Sequence, residues 1–315
     1  MYKLPPKDAR LFSVLGIHRD MVADSRRTLL FREAIFDVVC AGDVVVDIGT
    51  GIGILAFFAA AAGARRVYAI EESGIIELAK QIARENKLFD RIIFIRSHSR
   101  EVLLPQKADV VIAEVIGSFG LEEGICTTIA DARNRFLKPG GKLIPSMLNL
   151  FIVPVEATEL FSQINYWGKH PYGIDFSTAR LMALNSMYIE SIPPMAFLSE
   201  PQRLATFDLT ITGSCGMSEQ LNFVASRSGV MSGLCGWFDA YLSPGRVLST
   251  SPLEPPTHWQ QTFFPIDEPV HLIQGDVVSV KVEYIPTSAE GIWNWEISIP
   301  AHNICSCHST SILVR

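Results

Sequence analysis

The chain has 315 residues, 48% of them hydrophobic and 19% charged, and its 27 Lys and Arg against 33 Asp and Glu give a net charge of −6. This length and hydrophobic share suffice for two domains with large cores and exclude a disordered chain. The acidic balance argues against a nucleic-acid partner, whose phosphates reward basic surfaces, and suits a cationic substrate. No secretory core is visible in MYKLPPKDAR, and the longest apolar run, 52–62, is too short to span a membrane. The cysteines at 40, 126, 215, 235, 305 and 307 lack zinc-type spacing, so a reducing cytoplasm is expected. His302, Cys305, Cys307 and His308 sit close together near the end, but without a second ligand pair no metal is expected.

Residues 1–40 precede the first strand, with helical apolar spacing over 10–15 and 25–39. Between them GIHRDMVADSRR carries His18, Asp20, Asp24, Arg26 and Arg27 beside Met21 and Val22, which alone reads as a solvated amphipathic face. Val44-Val45-Val46 is a short β-branched strand ending in Asp47. Gly49, Gly51 and Gly53 follow, and an alanine-rich helix comes next. Strand, glycine turn and helix together present free backbone N–H groups to a ligand. The pattern is D-x-G-x-G-x-G; the dinucleotide pattern would need glycine where Ile54 stands. A second strand ends at Glu71, a carboxylate placed to accept ribose hydroxyls. This combination resembles the cofactor site of class I S-adenosylmethionine-dependent methyltransferases.

Strands at 44–47, 66–71, 91–96, 108–114 and 141–145 alternate with helices at 53–62, 74–87 and 121–137, which predicts a doubly wound, Rossmann-like parallel sheet. Pro139-Gly140-Gly141 reads as a turn between the last helix and strand. After about 150, strand-like runs separated by Pro and Gly predict an antiparallel β domain, sandwich or barrel. An aromatic-rich insertion at about 164–190, helical in its second half, reads as an arm or as a helical cap. The expected domains are therefore 1–40, 41–147 and 148–315.

The strand over 108–113 runs out into Glu114, at the carboxyl edge of the sheet where ligands bind. Nine residues on comes Glu123, after Gly117, Ser118 and Gly120. Two ionised carboxylates on one loop repel unless a cation lies between them, and a guanidinium offers five N–H donors in a matching fork.

Glu114-x8-Glu123 resembles the double-glutamate loop of the protein arginine N-methyltransferases. Thr257-His258-Trp259 resembles that family's Thr-His-Trp loop, and Gly16-Ile17-His18 with Met21, Asp24 and Arg27 its cofactor-covering helix. The insertion falls where the family carries its dimerisation arm, and the likeness runs from about residue 10 to about 300. It implies an α/β cofactor domain followed by an antiparallel β-barrel, S-adenosyl-L-methionine as cofactor, and a homodimer. By the same resemblance Asp47, Gly49, Gly51, Gly53 and Glu71 serve the cofactor, and Arg27 pairs its carboxylate with His18 nearby. Glu114 and Glu123 clamp the guanidinium, and His258, oriented by Asp24, takes or relays a proton. Met21 and Trp259 are expected near the substrate.

Two features depart from the family. Its opening Tyr-Phe-x-x-Tyr segment is matched by Asp8, Leu11 and Phe12, and the carboxylate used near the adenine is replaced by Arg100 beside His98 and Ser99. The expected activity is methyl transfer to arginine in a protein or peptide. The rivals are transfer to free arginine or another small guanidine or amine, and a non-catalytic regulator.

Overall fold

The computed structural model describes residues 7–287 and 291–311, with side chains from Leu15 onward. Two helices, α1 (Lys7–Ala23) and α2 (Ser25–Val38), lead into β1 (Val44–Ile48), all five residues of which are buried. Next come α3 (Ile54–Ala61), β2 (Arg66–Glu71), α4 (Ile76–Glu85), β3 (Ile92–Arg96), β4 (Ala108–Ala113), α5 (Ile125–Arg135) and β5 (Leu137–Ile144). Their strands form one parallel sheet in the order β3-β2-β1-β4-β5. β1 is flanked by β2 and β4, so its carboxyl end lies at the switch point where such sheets bind ligands.

Two local expectations are corrected. The helix predicted over 121–137 begins only at Ile125, because Gly124 is left-handed (φ +72°) and N-caps it. Residues 114–124 are therefore loop. Pro139-Gly140-Gly141, read as a turn, lies inside β5, where the pairing with β4 shifts register. A proline lacking its N–H is tolerated there because β5 is the edge of the sheet.

The second half contains β6 (Met147–Val155), α6 (Thr158–Ile164), α7 (Ser177–Leu184), β7 (Tyr188–Glu190), β8 (Gln202–Asp208), β9 (Met217–Val224) and β10 (Gly229–Ser243). After these come β11 (Arg246–Ser249), β12 (Gln261–Leu272), β13 (Val277–Ile285), β14 (Ile292–Ile299) and β15 (Ile304–Ser309). They build two antiparallel sheets: β7-β12-β10-β6-β8 with β11 on β10, and β15-β14-β13-β9. Alternation along β14, with Trp293, Trp295 and Ile297 buried and Glu296 exposed, shows one face on the core and one in solvent. β12 escaped the sequence reading because Pro265, Pro269 and an Asp267-Glu268 pair interrupt its apolar run. Among the described residues no helix is long and apolar enough to cross a membrane.

The two halves share one core. Phe119, on the loop after β4, packs edge-on to Phe264 of β12 at 5.2 Å and against Trp293 of β14 at 5.0 Å; Phe264 also meets Trp295 at 5.4 Å. Helix α2 is tied to the second domain by Arg246, which pairs with Glu33 and Asp37, and by Arg26 to Glu254 at 2.6 Å. Cys126 of α5 meets Cys215, between β8 and β9, a proximity that spacing did not reveal. Replacing Phe264, fully buried at the centre of the aromatic cluster, by Ala should cost about 3–5 kcal/mol. Urea unfolding measures it, and both halves should melt in one transition.

Candidate active site

The break between α1 and α2 falls at Asp24. Its Oδ1 accepts the backbone N–H of Arg27 at 2.9 Å and so caps α2. Its Oδ2 accepts the backbone N–H of His258 at 2.8 Å and lies 2.9 Å from His258 Nδ1. Burial works against the Asp24 charge, but the bonds from His258 and Arg27 hold its carboxyl below the ordinary range. An ionised Asp24 fixes the His258 proton on Nδ1 and leaves Nε2 as the acceptor of the ring.

Capping by Asp24 turns the first residues of α2 toward the sheet. Arg27 is buried, and both its Nε (3.0 Å) and its Nη2 reach Glu114 Oε2 at the end of β4. The guanidinium also lies over Trp259 (5.8 Å) and Phe31 (5.7 Å). Arg27, which the resemblance assigns to the cofactor's carboxylate, meets Glu114 through Nε and Nη2. Oε1 of Glu114 receives no hydrogen bond among the described residues.

The glycine turn follows β1. Asp47 is fully buried, and burial pushes its carboxyl up to about 7 against a hydrogen bond from Thr50 Oγ1 at 2.5 Å. Gly51 has φ +54°, and a Cβ there would lie 2.8 Å from the His18 ring, so only glycine lets α1 close over the turn. His18 is half-buried; burial lowers its pKa, Glu71 opposes this and Arg27 adds to it. At the end of β2 the Glu71 carboxylate accepts the N–H of Gly51 (3.1 Å) and of Ser73 (2.9 Å). A cavity of about 290 Å³ opens here, with Gly49, Glu71, His98, Val115, Glu123 and Thr128 in its wall. Arg100 is exposed and not part of that wall, while His98 and Ser99 are.

Glu123 keeps contact with solvent, but it stands in the cavity wall, where surrounding protein thins its hydration. That desolvation, with the charges of Glu114 and Glu122, pushes its carboxyl up to about 7 against Arg27. The loop carrying it is held by three side chains of the second domain. Trp259 Nε1 donates to the Ile116 carbonyl at 2.9 Å, Tyr284 Oη to the Leu121 carbonyl at 3.1 Å, and Trp293 Nε1 to Glu122 Oε1 at 2.9 Å. The Phe119 N–H donates to Glu122 Oε2 at 3.0 Å. With its indole N–H spent on the loop, Trp259 supports the site and offers a substrate no free donor.

The structure thus links Asp24, Arg27, Glu114, His258 and Trp259 by contact, sets Gly49, Glu71 and Glu123 in the cavity wall, and places Gly51 and His18 beside Glu71. Gly53 caps α3 in the left-handed region. Met21 is half-buried at the end of α1, and its carbonyl receives the Thr28 hydroxyl at 3.2 Å. Asp8 and Phe12 lie outside the residues whose side chains are described. Glu122, Tyr284 and Trp293 were not anticipated; the doublet Glu122-Glu123 was the sole sequence signal, and nothing marked which of the two faces inward. The Glu123 carboxyl should titrate near pH 7 by ¹³C NMR, its resonance identified by loss in Glu123→Gln. Burial also pushes the Glu122 carboxyl up, so Glu122→Gln should move that midpoint to lower pH only where Glu122 is ionised.

The family model described as arginine methyltransferase oligomerization subdomain matches residues 147–297. That of the ribosomal protein L11 methyltransferase matches 28–148. Protein arginine N-methyltransferase 6 of Danio rerio is 33% identical, the alignment covering 88% of this chain and 83% of that protein. Its Xenopus laevis counterpart is 32% identical over 91% and 90%. Among solved structures, the Trypanosoma brucei PRMT1 enzyme-prozyme heterotetrameric complex with AdoHcy aligns with a TM-score of 0.86 at 25% identity, over 93% of this chain and 97% of that one. Arabidopsis thaliana protein arginine methyltransferase 10 aligns with a TM-score of 0.80 at 24% identity, over 93% and 97%.

Proposed function

The chain belongs to the protein arginine N-methyltransferase family, and from that premise we propose that it transfers a methyl group from S-adenosyl-L-methionine to a guanidinium nitrogen of arginine in a protein or peptide. What supports this most is the unequal state of the two glutamates. Glu114 already has a cation, Arg27, on one oxygen, whereas Glu123 has none and resists ionising. A guanidinium entering between Glu114 Oε1 and Glu123 removes that resistance and gains two charge-assisted contacts.

The glycine turn fits the cofactor: a Cβ on Gly49 would lie 2.9 Å from Val115, filling the cavity edge, and Glu71 stands ready beside it for hydroxyl groups. When bound, S-adenosyl-L-methionine supplies an electrophilic methyl on a sulfonium. In this reading Gly49, Gly51 and Gly53 admit it, Asp47 braces the turn, Glu71 takes the ribose, and His18 covers it from α1. Glu114 and Glu123 orient the guanidinium and draw positive charge toward themselves, leaving electron density on the reacting nitrogen. His258 Nε2 accepts the proton that this nitrogen sheds, and Asp24 stabilises the resulting imidazolium. Met21 and Trp259 bound the substrate side.

A labelled-methyl assay on an arginine-rich peptide and on free L-arginine tests the reading. Transfer to peptide, reduced about a thousandfold in Glu114→Gln, is expected. Transfer to free arginine alone would assign a small-molecule substrate, a reading favoured by Asp8 and Phe12 in place of two tyrosines. Label in neither, with cofactor still bound, would leave a non-catalytic regulator. The arm exposes Tyr172, Trp167, Leu181 and Met182, a face suited to a second copy of the chain. Light scattering should therefore report a dimer, and Leu181→Glu with Met182→Glu should give monomers. The site of action in this reading is the cytoplasm.

A further inference from the structure

Strand β15 ends the four-stranded sheet as an edge, far along the chain from the glutamate loop. Its alternation sends Ser306 and His308 inward and Cys305 and Cys307 outward. His308 stacks on Trp295 at 5.0 Å and shares a 2.5 Å hydrogen bond with Ser306 Oγ, while His302 pairs with Asp276 at 2.8 Å. Neither histidine therefore joins the two thiols. What does join them is Glu296 of β14, directly opposite Cys307 in the register. The two sulfurs and a Glu296 carboxylate oxygen all lie within 4.8 Å of one another.

We propose that Cys305, Cys307 and Glu296 form a zinc site, with water as fourth ligand, that staples the edge strand β15 to β14. Tetrahedral zinc with sulfur at about 2.3 Å holds its ligand atoms about 4 Å apart, close to the spacing already present. Thiolate donors select zinc over magnesium or calcium, and a carboxylate completes a mixed sulfur–oxygen set. The thiols are poorly placed to consume each other. Residues i and i+2 on an extended strand lie about 6.7 Å apart at Cα, the far limit for a disulfide. Binding releases the two thiol protons: two thiolates and a carboxylate meet one divalent cation. Lys281, opposite Glu296 on β13, balances the remaining negative charge. An unprotected edge is thereby fastened to its neighbour at two successive outward positions.

The test is a cobalt titration of the full-length, reduced, chelator-treated protein, with Zn²⁺ as competitor. One Co²⁺ per chain should bind with a sulfur-to-cobalt charge-transfer band and be displaced by Zn²⁺. The band should persist in Cys40→Ser, which removes the other exposed thiol found among the described residues. It should vanish in Cys305→Ser/Cys307→Ser, with affinity weakened about 100-fold or more, and weaken by a smaller factor in Glu296→Gln. All three positions are exposed, so these variants keep the fold, which circular dichroism verifies. A thiolate band retained in the double serine variant, or none in the parent chain at micromolar cobalt, overturns the site.

Discussion

The buried pairing of Arg27 with Glu114 is the constraint on which the site depends. Both side chains are almost wholly removed from water. Each charge is tolerable there only because the other is present, and losing one partner of such a pair costs about 3–5 kcal/mol. The pair also fixes geometry. Arg27 is in the first turn of α2 and Glu114 directly follows β4, so their contact sets where α2 lies on the sheet. Asp24, three residues before Arg27, then meets His258 from the other domain. One ion pair thus aligns helix, sheet and second-domain loop.

The second domain does more than cover the first. Loop 114–124 is glycine-rich and has no regular structure to hold it. Its carbonyls at Ile116 and Leu121 and its carboxylate at Glu122 would be unsatisfied if buried alone. Trp259, Tyr284 and Trp293 supply the donors, each from a different strand or loop of the antiparallel sheets. Phe119, enclosed by Phe264 and Trp293, anchors the same loop through packing. Glu123 therefore owes its place to residues about 130 to 170 positions further along the chain.

Local pattern made the parallel sheet legible, because β-branched runs, glycine turns and helical spacing are short-range signals. Asp47, the glycine turn and Glu71 were legible for the same reason. Glu114, Glu123 and His258 were reached through motif resemblance, since no periodicity reports a contact between residues 24 and 258. What stayed hidden was of two kinds. β12 and the Pro139–Gly141 stretch break local rules for strands and form only because tertiary pairing outweighs propensity. Glu122 and the Cys126–Cys215 proximity depend on which way a side chain points after folding, which a sequence of glutamates and scattered cysteines does not encode locally.

In the proposed function, charge balance is what would favour one class of ligand. Arg27 neutralises Glu114, so Glu123 is the carboxylate left to meet a guanidinium. A neutral ligand would leave Glu123 to ionise unaided, against the thinned hydration of the cavity wall and two neighbouring glutamates. An anion would add to that repulsion. In the proposed function a planar monocation would relieve it by meeting both glutamates, and it would remain a monocation after methylation by shedding one proton. In the proposed transfer the His258–Asp24 pair would take that proton, so that the product would not leave as a dication. In that reading the acid loop, the buried arginine and the histidine act together, and the structure assembles them from three parts of the chain.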